Sequence, residues 1–471
     1  MILFAADETG APPAAKPDEP KVVKVVLHPA KPPAAALQFP LLPRFVDQYP
    51  GNAATLYAKA AVLLVDKKDP NELWDKIDRW LELPPAEMPR EEVEKAVVSH
   101  QAILKIVTMA AHRDRCDWEP PIREDDDIFG ILLPEVGPQR NVARLLALKA
   151  RMQISEGHLA QATETLQTGY VLARHTADCP FLISGLVGVA ISNIMDKQVL
   201  TLIQSPNCPN LYWSITALPS PLVDLRPAFE FEKDDAVLAF PELRGVERAQ
   251  HSPEEWAALL VSFGRRVELI SGAVEGDPAK RAAISAAMAG AAILRFDPAK
   301  ADLVASGRDR KAVDAMPAAQ VILLHTVLLY DVARDEMFKW FNVPYWQAQD
   351  GMAQSDANLK NDIRQRELVP LASLILPAIA NVRKASVRSE RRIALLRVIE
   401  ALRFYAADHD GMLPAALDEI KEVPLPVDPV TGKPFGYTLA DGKATLDAPP
   451  PAGVTWEQLG ARCEITIAAS K

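Results

Sequence analysis

Residues 141–177 read NVARLLALKARMQISEGHLAQATETLQTGYVLARHTA. Asn141 to Ser155 carries helical periodicity, Glu156-Gly157 turns the chain, and Leu159, Ala162, Leu166, Tyr170 and Ala173 recur at spacings of three or four as the stripe of a second helix. Gly157 suits the left-handed conformation that ends a helix, and the small Ala162 lets the two helices approach closely. The stretch predicts a helical hairpin. The same periodicity extends in both directions. The fold class expected is therefore mainly α: an array of antiparallel helical hairpins with a small α+β C-terminal module and a disordered Pro/Ala-rich N-terminal tail.

Toward the N-terminus, residues 1–40 read as that tail or linker. Met1 to Ala6, apolar and ending in small residues, resembles the end of a secretory signal, with an ordinary chain start as the alternative. Ala11 to Pro40 has the proline, alanine and lysine content of an extended linker, inside which Val22 to Leu27 suits one strand. Residues 41–370 form the expected helical domain. Gly51–Lys68 and Asn71–Leu81 read as helices on either side of Asp69-Pro70. Val93, Val97, Leu104, Val107 and Ala111 mark one stripe on a single helix of about six turns, with His100 filling a gap in it. Phe181–Met195 is the most apolar stretch. It falls short of the roughly 20 residues that span hydrocarbon and carries Ser184, Ser192 and Asn193, so it reads as a buried core helix, not a transmembrane segment.

Further helices are expected at Phe229–Leu238, at Pro253–Gly272 with Ser252 as N-cap, at Pro278–Leu294 with Asp277 as N-cap, and at Pro298–Ser306, Pro317–Phe341 and Asn361–Ala407. Only the last stretch, within 371–471, changes period. Pro434 to Leu446 alternates in β fashion around Asp441-Gly442, a hairpin signal, and Cys463–Ile467 reads as another short strand.

Composition agrees with this outline. The chain has 471 residues, 49% of them hydrophobic and 24% charged, which is ordinary for a folded protein. Its 40 prolines and 21 glycines invert the usual order, roughly 5% and 7%. Prolines at helix starts and connectors, with glycine kept out of helix interiors, describe many helices punctuated by breaks. Lys and Arg number 52 against 62 Asp and Glu, a formal charge of −10 that gives a nucleic-acid partner no electrostatic support. Four cysteines, Cys116, Cys179, Cys208 and Cys463, are too few for a disulfide scaffold and permit either redox compartment.

Two resemblances rest on particular residues. Ala143 to Ala177 (143–177), with Gly157 and Ala162 at the turn and the close approach, resembles one tetratricopeptide-type helical hairpin. Leu374-Ile375-Leu376-Pro377 runs into Arg391–Tyr405, then Asp408-His409-Asp410-Gly411-Met412-Leu413-Pro414, then Asp428-Pro429-Val430-Thr431-Gly432-Lys433-Pro434-Phe435-Gly436-Tyr437. This order is similar to the prepilin-like pseudopilins of type II secretion. It implies a helix-plus-hairpin module in which Asp428, Pro429, Gly432, Pro434 and Tyr437 shape the strand entry. No pseudopilin cleavage motif precedes Leu374, so the module reads as one reused inside a larger protein. Large helical proteins with such tails also resemble an uncharacterised exported bacterial group.

His112-x3-Cys116 and His175-x3-Cys179 place two His/Cys pairs at helical i,i+4 spacing. Together they would supply the ligands of a tetrahedral zinc site. Helical angles set His112, Cys116 and His175 well away from their helices' apolar stripes, which favours unrelated packing or surface residues, with a Cys116–Cys179 disulfide as a further alternative. Asp408-x-Asp410-Gly411 lacks the rest of a calcium loop and reads as a turn, as does Asp428 before Pro429. Asp125-Asp126-Asp127 reads as a solvated acidic loop. Glu230, Glu232, Asp234 and Asp235 are the carboxylates that glycoside chemistry would use, although such neighbours are common on helix surfaces. The aromatic groups around Tyr212-Trp213 and around Trp340, Phe341, Tyr345 and Trp346 read first as packing and second as a binding groove.

No catalytic, nucleotide or metal motif is complete, and no cofactor is called for. The expectation is a non-catalytic scaffold that binds another protein, exported, periplasmic or envelope-associated, with a cytoplasmic location as the alternative. A helical, glycan-acting hydrolase with acidic residues in a central cleft is the rival. The oligomeric state is left open.

Overall fold

The computed structural model describes residues 18–67, 71–120, 136–231, 240–270, 290 and 294–468. In chain order its principal elements are β1 (Val22–Leu27), β2 (Tyr49–Asn52), α1 (Ala54–Asp66), α2 (Asn71–Glu82), α3 (Arg90–Ser99), α4 (Gln101–Ala111), β3 (Arg113–Arg115), α5 (Val136–Ser155), α6 (Leu159–Ala177), α7 (Leu182–Ile203) and α8 (Tyr212–Thr216). They continue with α9 (Pro253–Ile270), α10 (Arg310–Ala315), α11 (Ala318–Phe338), α12 (Tyr345–Asn358), α13 (Leu371–Asp408), β4 (Gly436–Ala440), β5 (Lys443–Ala448) and β6 (Ala461–Ile467). Residues 294–305 are also helical. The protein is mainly α with a small mixed sheet. The expected helix at Pro278–Leu294 with its Asp277 cap, the Asp125-Asp126-Asp127 loop, and Glu232, Asp234 and Asp235 lie almost entirely outside the described residues.

Two compact units divide the chain. One comprises Ala15–Pro120, Leu132–Ala228 and Lys384–Lys471, and the other contains Phe229–Arg383. In the first unit α5, α6 and α7 form the core. The turn at Gly157 has the geometry its sequence demands: φ is +77°, His158 N–H donates to Gln153 O at 2.8 Å and Gly157 N–H to Ile154 O at 3.0 Å. This double bond closes the last turn of α5 while a glycine bears the left-handed step. Ala162 is fully buried where α6 meets α5. Glycines then bring α7 against α6, for a Cβ on Gly188 would stand 2.5 Å from Ala173 O.

Helix α7 is longer than the apolar stretch that announced it. At 22 residues, with a mean hydropathy of 1.4, it is the one described helix long and apolar enough to cross a membrane by length and composition. Over half of that window is buried against protein, and it carries the buried polar residues Ser184, Ser192, Asp196 and Gln198.

The same unit holds the sheet, in order β1-β6-β5-β4. β1 pairs parallel to β6, Val25 opposite Ile465, while β4 and β5 form the hairpin expected around Asp441-Gly442, whose φ values of +50° and +72° suit its two-residue turn. β1 comes from the 1–40 segment and β6 from 371–471, so both ends of the chain contribute to one sheet. β2 and β3 form a separate parallel pair.

Three sequence expectations are corrected in detail. The single helix expected from Val93 to Ala111 is two, because the gap in the apolar stripe is a real break: His100 has φ −108°, ψ +10° and is buried, its Nδ1 2.7 Å from Ala96 O. Gly51 does not begin a helix but sits in β2 at φ +137°, a value that glycine tolerates. The run Asn361–Ala407 is interrupted before Leu371, where Pro370 disfavours helical geometry in the residue ahead of it.

In the second unit α9 packs on α11, with Phe240 and Phe263 edge to face at 5.2 Å. Ser252 caps α9 as expected: Glu255 N–H donates to Ser252 Oγ at 3.2 Å and Ser252 N–H to Glu255 Oε2 at 2.7 Å, a reciprocal capping box. Phe229 stacks on Phe341 at 4.2 Å, and Trp340 donates to Ser355 Oγ at 3.2 Å, so these aromatics of the 340 region serve packing.

Candidate functional site

A cleft of about 260 Å³ opens in the first unit. Three segments line it: Leu42, Pro43 and Gln48 ahead of β2, Ala111 and Arg113 to Cys116 around β3, and Val171, Arg174, His175 and Asp178 at the end of α6. β3 exists because α4 stops at His112, whose Nδ1 lies 2.9 Å from Thr108 O, and the extended chain beyond pairs with β2. Alternation along a strand then puts Arg113 and Arg115 on one face. Arg113 Nη1 donates to Pro50 O at 2.7 Å and Gly51 N–H to Asp114 Oδ1 at 2.9 Å, fastening the two strands.

The wall formed by α6 is equally fixed. Trp118 Nε1 donates to the His175 carbonyl at 2.6 Å, Tyr57 stacks on Trp118 at 6.0 Å, and Tyr57 Oη shares a hydrogen bond with His175 Nδ1 at 3.1 Å. Burial, helped by the Arg174 charge, lowers the His175 pKa to about 4, so the ring is neutral near pH 7. Crowding around Asp178 raises its carboxyl to about 6, with Arg174 opposing the rise. Burial, with the Asp178 and Cys179 charges behind it, pushes the Cys116 thiol far up, and that thiol stays protonated. The cleft therefore carries three arginines against two aspartates. The side chains of Arg115 and Arg174 make no hydrogen bond or ion pair among the described residues.

The four His/Cys residues are only partly brought together. Cys116 and His175 share the cleft, but the helical spacing assumed for His112 and Cys116 is lost because α4 ends at residue 111, and Cys179 lies beyond the end of α6. His112 and His175 each turn a ring nitrogen to a protein partner. Among the described residues no group of three or more His, Cys, Asp or Glu side chains is placed to hold a metal ion. No disulfide joins the described cysteines, so Cys116 and Cys179 are not bonded to each other.

Asp428 is more than the turn former expected from Asp428-Pro429. Its backbone closes the 428–433 loop, Gly432 N–H donating to Asp428 O at 2.7 Å with Gly432 at φ +67°. Its buried carboxylate also accepts from Arg391 Nε at 2.9 Å, Arg391 Nη2 at 2.6 Å, Val430 N–H at 2.9 Å and Thr431 Oγ1 at 3.1 Å. Arg391 carries on to Leu459 O and Pro449 O, and Tyr437 Oη donates to Pro414 O at 2.8 Å. With both oxygens engaged by protein donors, this loop is a brace between α13 and the sheet. Tyr212, from the other aromatic run, is buried with Arg397 over its ring at 5.7 Å.

Sequence reasoning passed over Arg113, Arg115 and Arg174, since a three-residue strand leaves no periodic signal and the cleft joins segments far apart in the chain. The class defined is a mainly helical protein with a small mixed sheet and an arginine-lined cleft. The chain matches no family model, no curated protein and no solved structure.

Proposed function

We propose that the chain is a non-catalytic, exported or envelope-associated helical scaffold that binds another protein through the surface around the cleft. One observation carries this reading: the segment that lines the cleft with Leu42, Pro43 and Gln48 also holds Phe45 at 88%, Val46 at 78% and Tyr49 at 61% exposure. Large apolar side chains gathered in solvent beside a concavity are the usual mark of an interaction site. The expected array of antiparallel hairpins, the tetratricopeptide-like stretch 143–177 and the pseudopilin-like 374–437 module belong to this reading as rigid support for such a surface.

The test places a photo-crosslinking residue at position 45 of the full chain in the producing cells. A discrete cross-linked protein in the envelope fraction is the expected result. The absence of any adduct together with a purely cytosolic distribution would overturn the proposal. Release of new reducing ends from a glycan by the purified chain would replace it with the hydrolase reading.

A further inference from the structure

The cleft has two unlike walls. Leu42, Pro43, Ala111 and Val171 are apolar, while Arg113, Arg115 and Arg174 bring guanidinium groups to the same space. Arg113 spends Nη1 on Pro50 O, whereas Arg115 and Arg174 have no side-chain hydrogen bond or ion pair among the described residues. Guanidinium groups left without a protein partner in a concavity are suited to a planar anion, which they grip with paired, charge-assisted hydrogen bonds. The anchoring of β3 to β2 and of Trp118 to the His175 carbonyl holds both walls in place before any ligand arrives.

Charge and size narrow the ligand. Asp114 and Asp178 offset two of the three arginines, and His175 is neutral, leaving about one positive charge in the cleft. That balance matches a monoanion and disfavours phosphoryl dianions or nucleic acid. At about 260 Å³ the space lies below the roughly 300–1,000 Å³ of sites that enclose a whole small molecule. It fits the end of a chain, with an anionic group at the arginines. We infer that this cleft captures the free C-terminal carboxylate of a polypeptide. The inference rests on the protein-binding reading above and names the feature of the partner that is recognised, the exposed Phe45, Val46 and Tyr49 lying along the approaching chain.

Asp178 competes with the ligand for Arg174. As pH falls through about 6 this carboxyl gains a proton and the cleft becomes more positive, so binding tightens toward pH 5. His175 and the Cys116 thiol stay uncharged across this range.

Isothermal titration calorimetry on the full chain tests this with acetyl-Ala-Gly-Ala-Leu as the free acid and as its C-terminal amide. The acid is expected to bind at least tenfold more tightly than the amide, and Arg115→Gln combined with Arg174→Gln to remove that difference. Asp178→Asn should tighten binding at pH 7 and flatten its pH dependence. Both arginines reach solvent, and an unchanged circular dichroism spectrum and melting midpoint verify that the variants fold. Equal binding of acid and amide, or an undiminished preference in the double variant, overturns the inference. Tighter binding of octanoate than of the peptide acid overturns its polypeptide assignment in favour of a fatty acid. If the position-45 adduct persists in the double variant while the acid preference never appears, the scaffold stands and the carboxylate inference falls.

Discussion

Asp196 offers a quantitative test of the packing of α7. Its carboxyl is buried between α6 and α13, accepts Tyr170 Oη–H on Oδ1 at 2.8 Å and has no hydrogen-bond partner on Oδ2. Burial raises its pKa from 3.8 to about 7, while the Tyr170 hydrogen bond and the Arg392 charge oppose the rise. A carboxyl whose folded pKa exceeds its unfolded value binds its proton more firmly in the fold. Its contribution to stability is complete below about pH 4 and is lost as pH rises toward about 7. At about 1.4 kcal/mol per pKa unit, the full loss is roughly 4 kcal/mol. Asp196→Asn keeps an oxygen for Tyr170 and removes the titration, at a pH-independent cost of about 1–3 kcal/mol for burying an unpartnered amide. Urea unfolding of the full chain at intervals from pH 4 to pH 8, followed by circular dichroism, gives the stability of the variant relative to the parent. That difference should shift in the variant's favour by roughly 4 kcal/mol across the range. A difference constant to within about 0.5 kcal/mol, or one moving the other way, refutes the assignment of a buried, poorly solvated carboxyl at this position.

Three further outcomes follow from particular contacts. Arg391→Ala should destabilise the chain by about 3–5 kcal/mol in urea unfolding because it leaves the buried Asp428 carboxylate without its cation and the Leu459 and Pro449 carbonyls without their donor. Gly188→Ala should cost about 1–3 kcal/mol, read by thermal melting, since its methyl would meet the Ala173 carbonyl of α6 and backbone cannot step aside as a side chain can. Ser252→Ala should cost about 1 kcal/mol and leave α9 fraying at its start, visible as faster amide hydrogen exchange over its first turn.

The legibility of the fold follows from where its information is stored. Helix α6 announces itself through Leu159, Ala162, Leu166, Tyr170 and Ala173 because one face meets a core and repeats with the helical period. Asp441-Gly442 announces a hairpin because its turn geometry demands positive φ at both positions. His100 shows the limit of this reasoning. A polar residue in an apolar stripe fits both a continuous helix and a broken one, and the buried Nδ1 contact to Ala96 O that accompanies the break is not a periodic feature. Arg391 shows another limit, since 37 positions separate it from Asp428 and no local pattern links the arginine of a helix to the carboxylate of a later loop.

The cleft was illegible for the same physical reason, carried further. Arg113, Arg115 and Arg174 look like solvated surface charges while their neighbours in sequence are considered alone. Their meaning arises when α4 terminates at His112, β3 forms against β2, and Trp118 fastens that strand to the last turn of α6. Two of those steps are single hydrogen bonds to backbone carbonyls. A site assembled this way depends on where elements end, which sequence patterns encode least well. Weakening either anchor should therefore harm the cleft before it harms the core. Trp118→Phe keeps the ring that stacks on Tyr57 but removes the donor to the His175 carbonyl. It should lower overall stability by only about 1 kcal/mol while abolishing the preference for the peptide acid over its amide. A large drop in melting midpoint with the acid preference intact would show instead that this anchor serves the core, and that the cleft's arginines are held by other means.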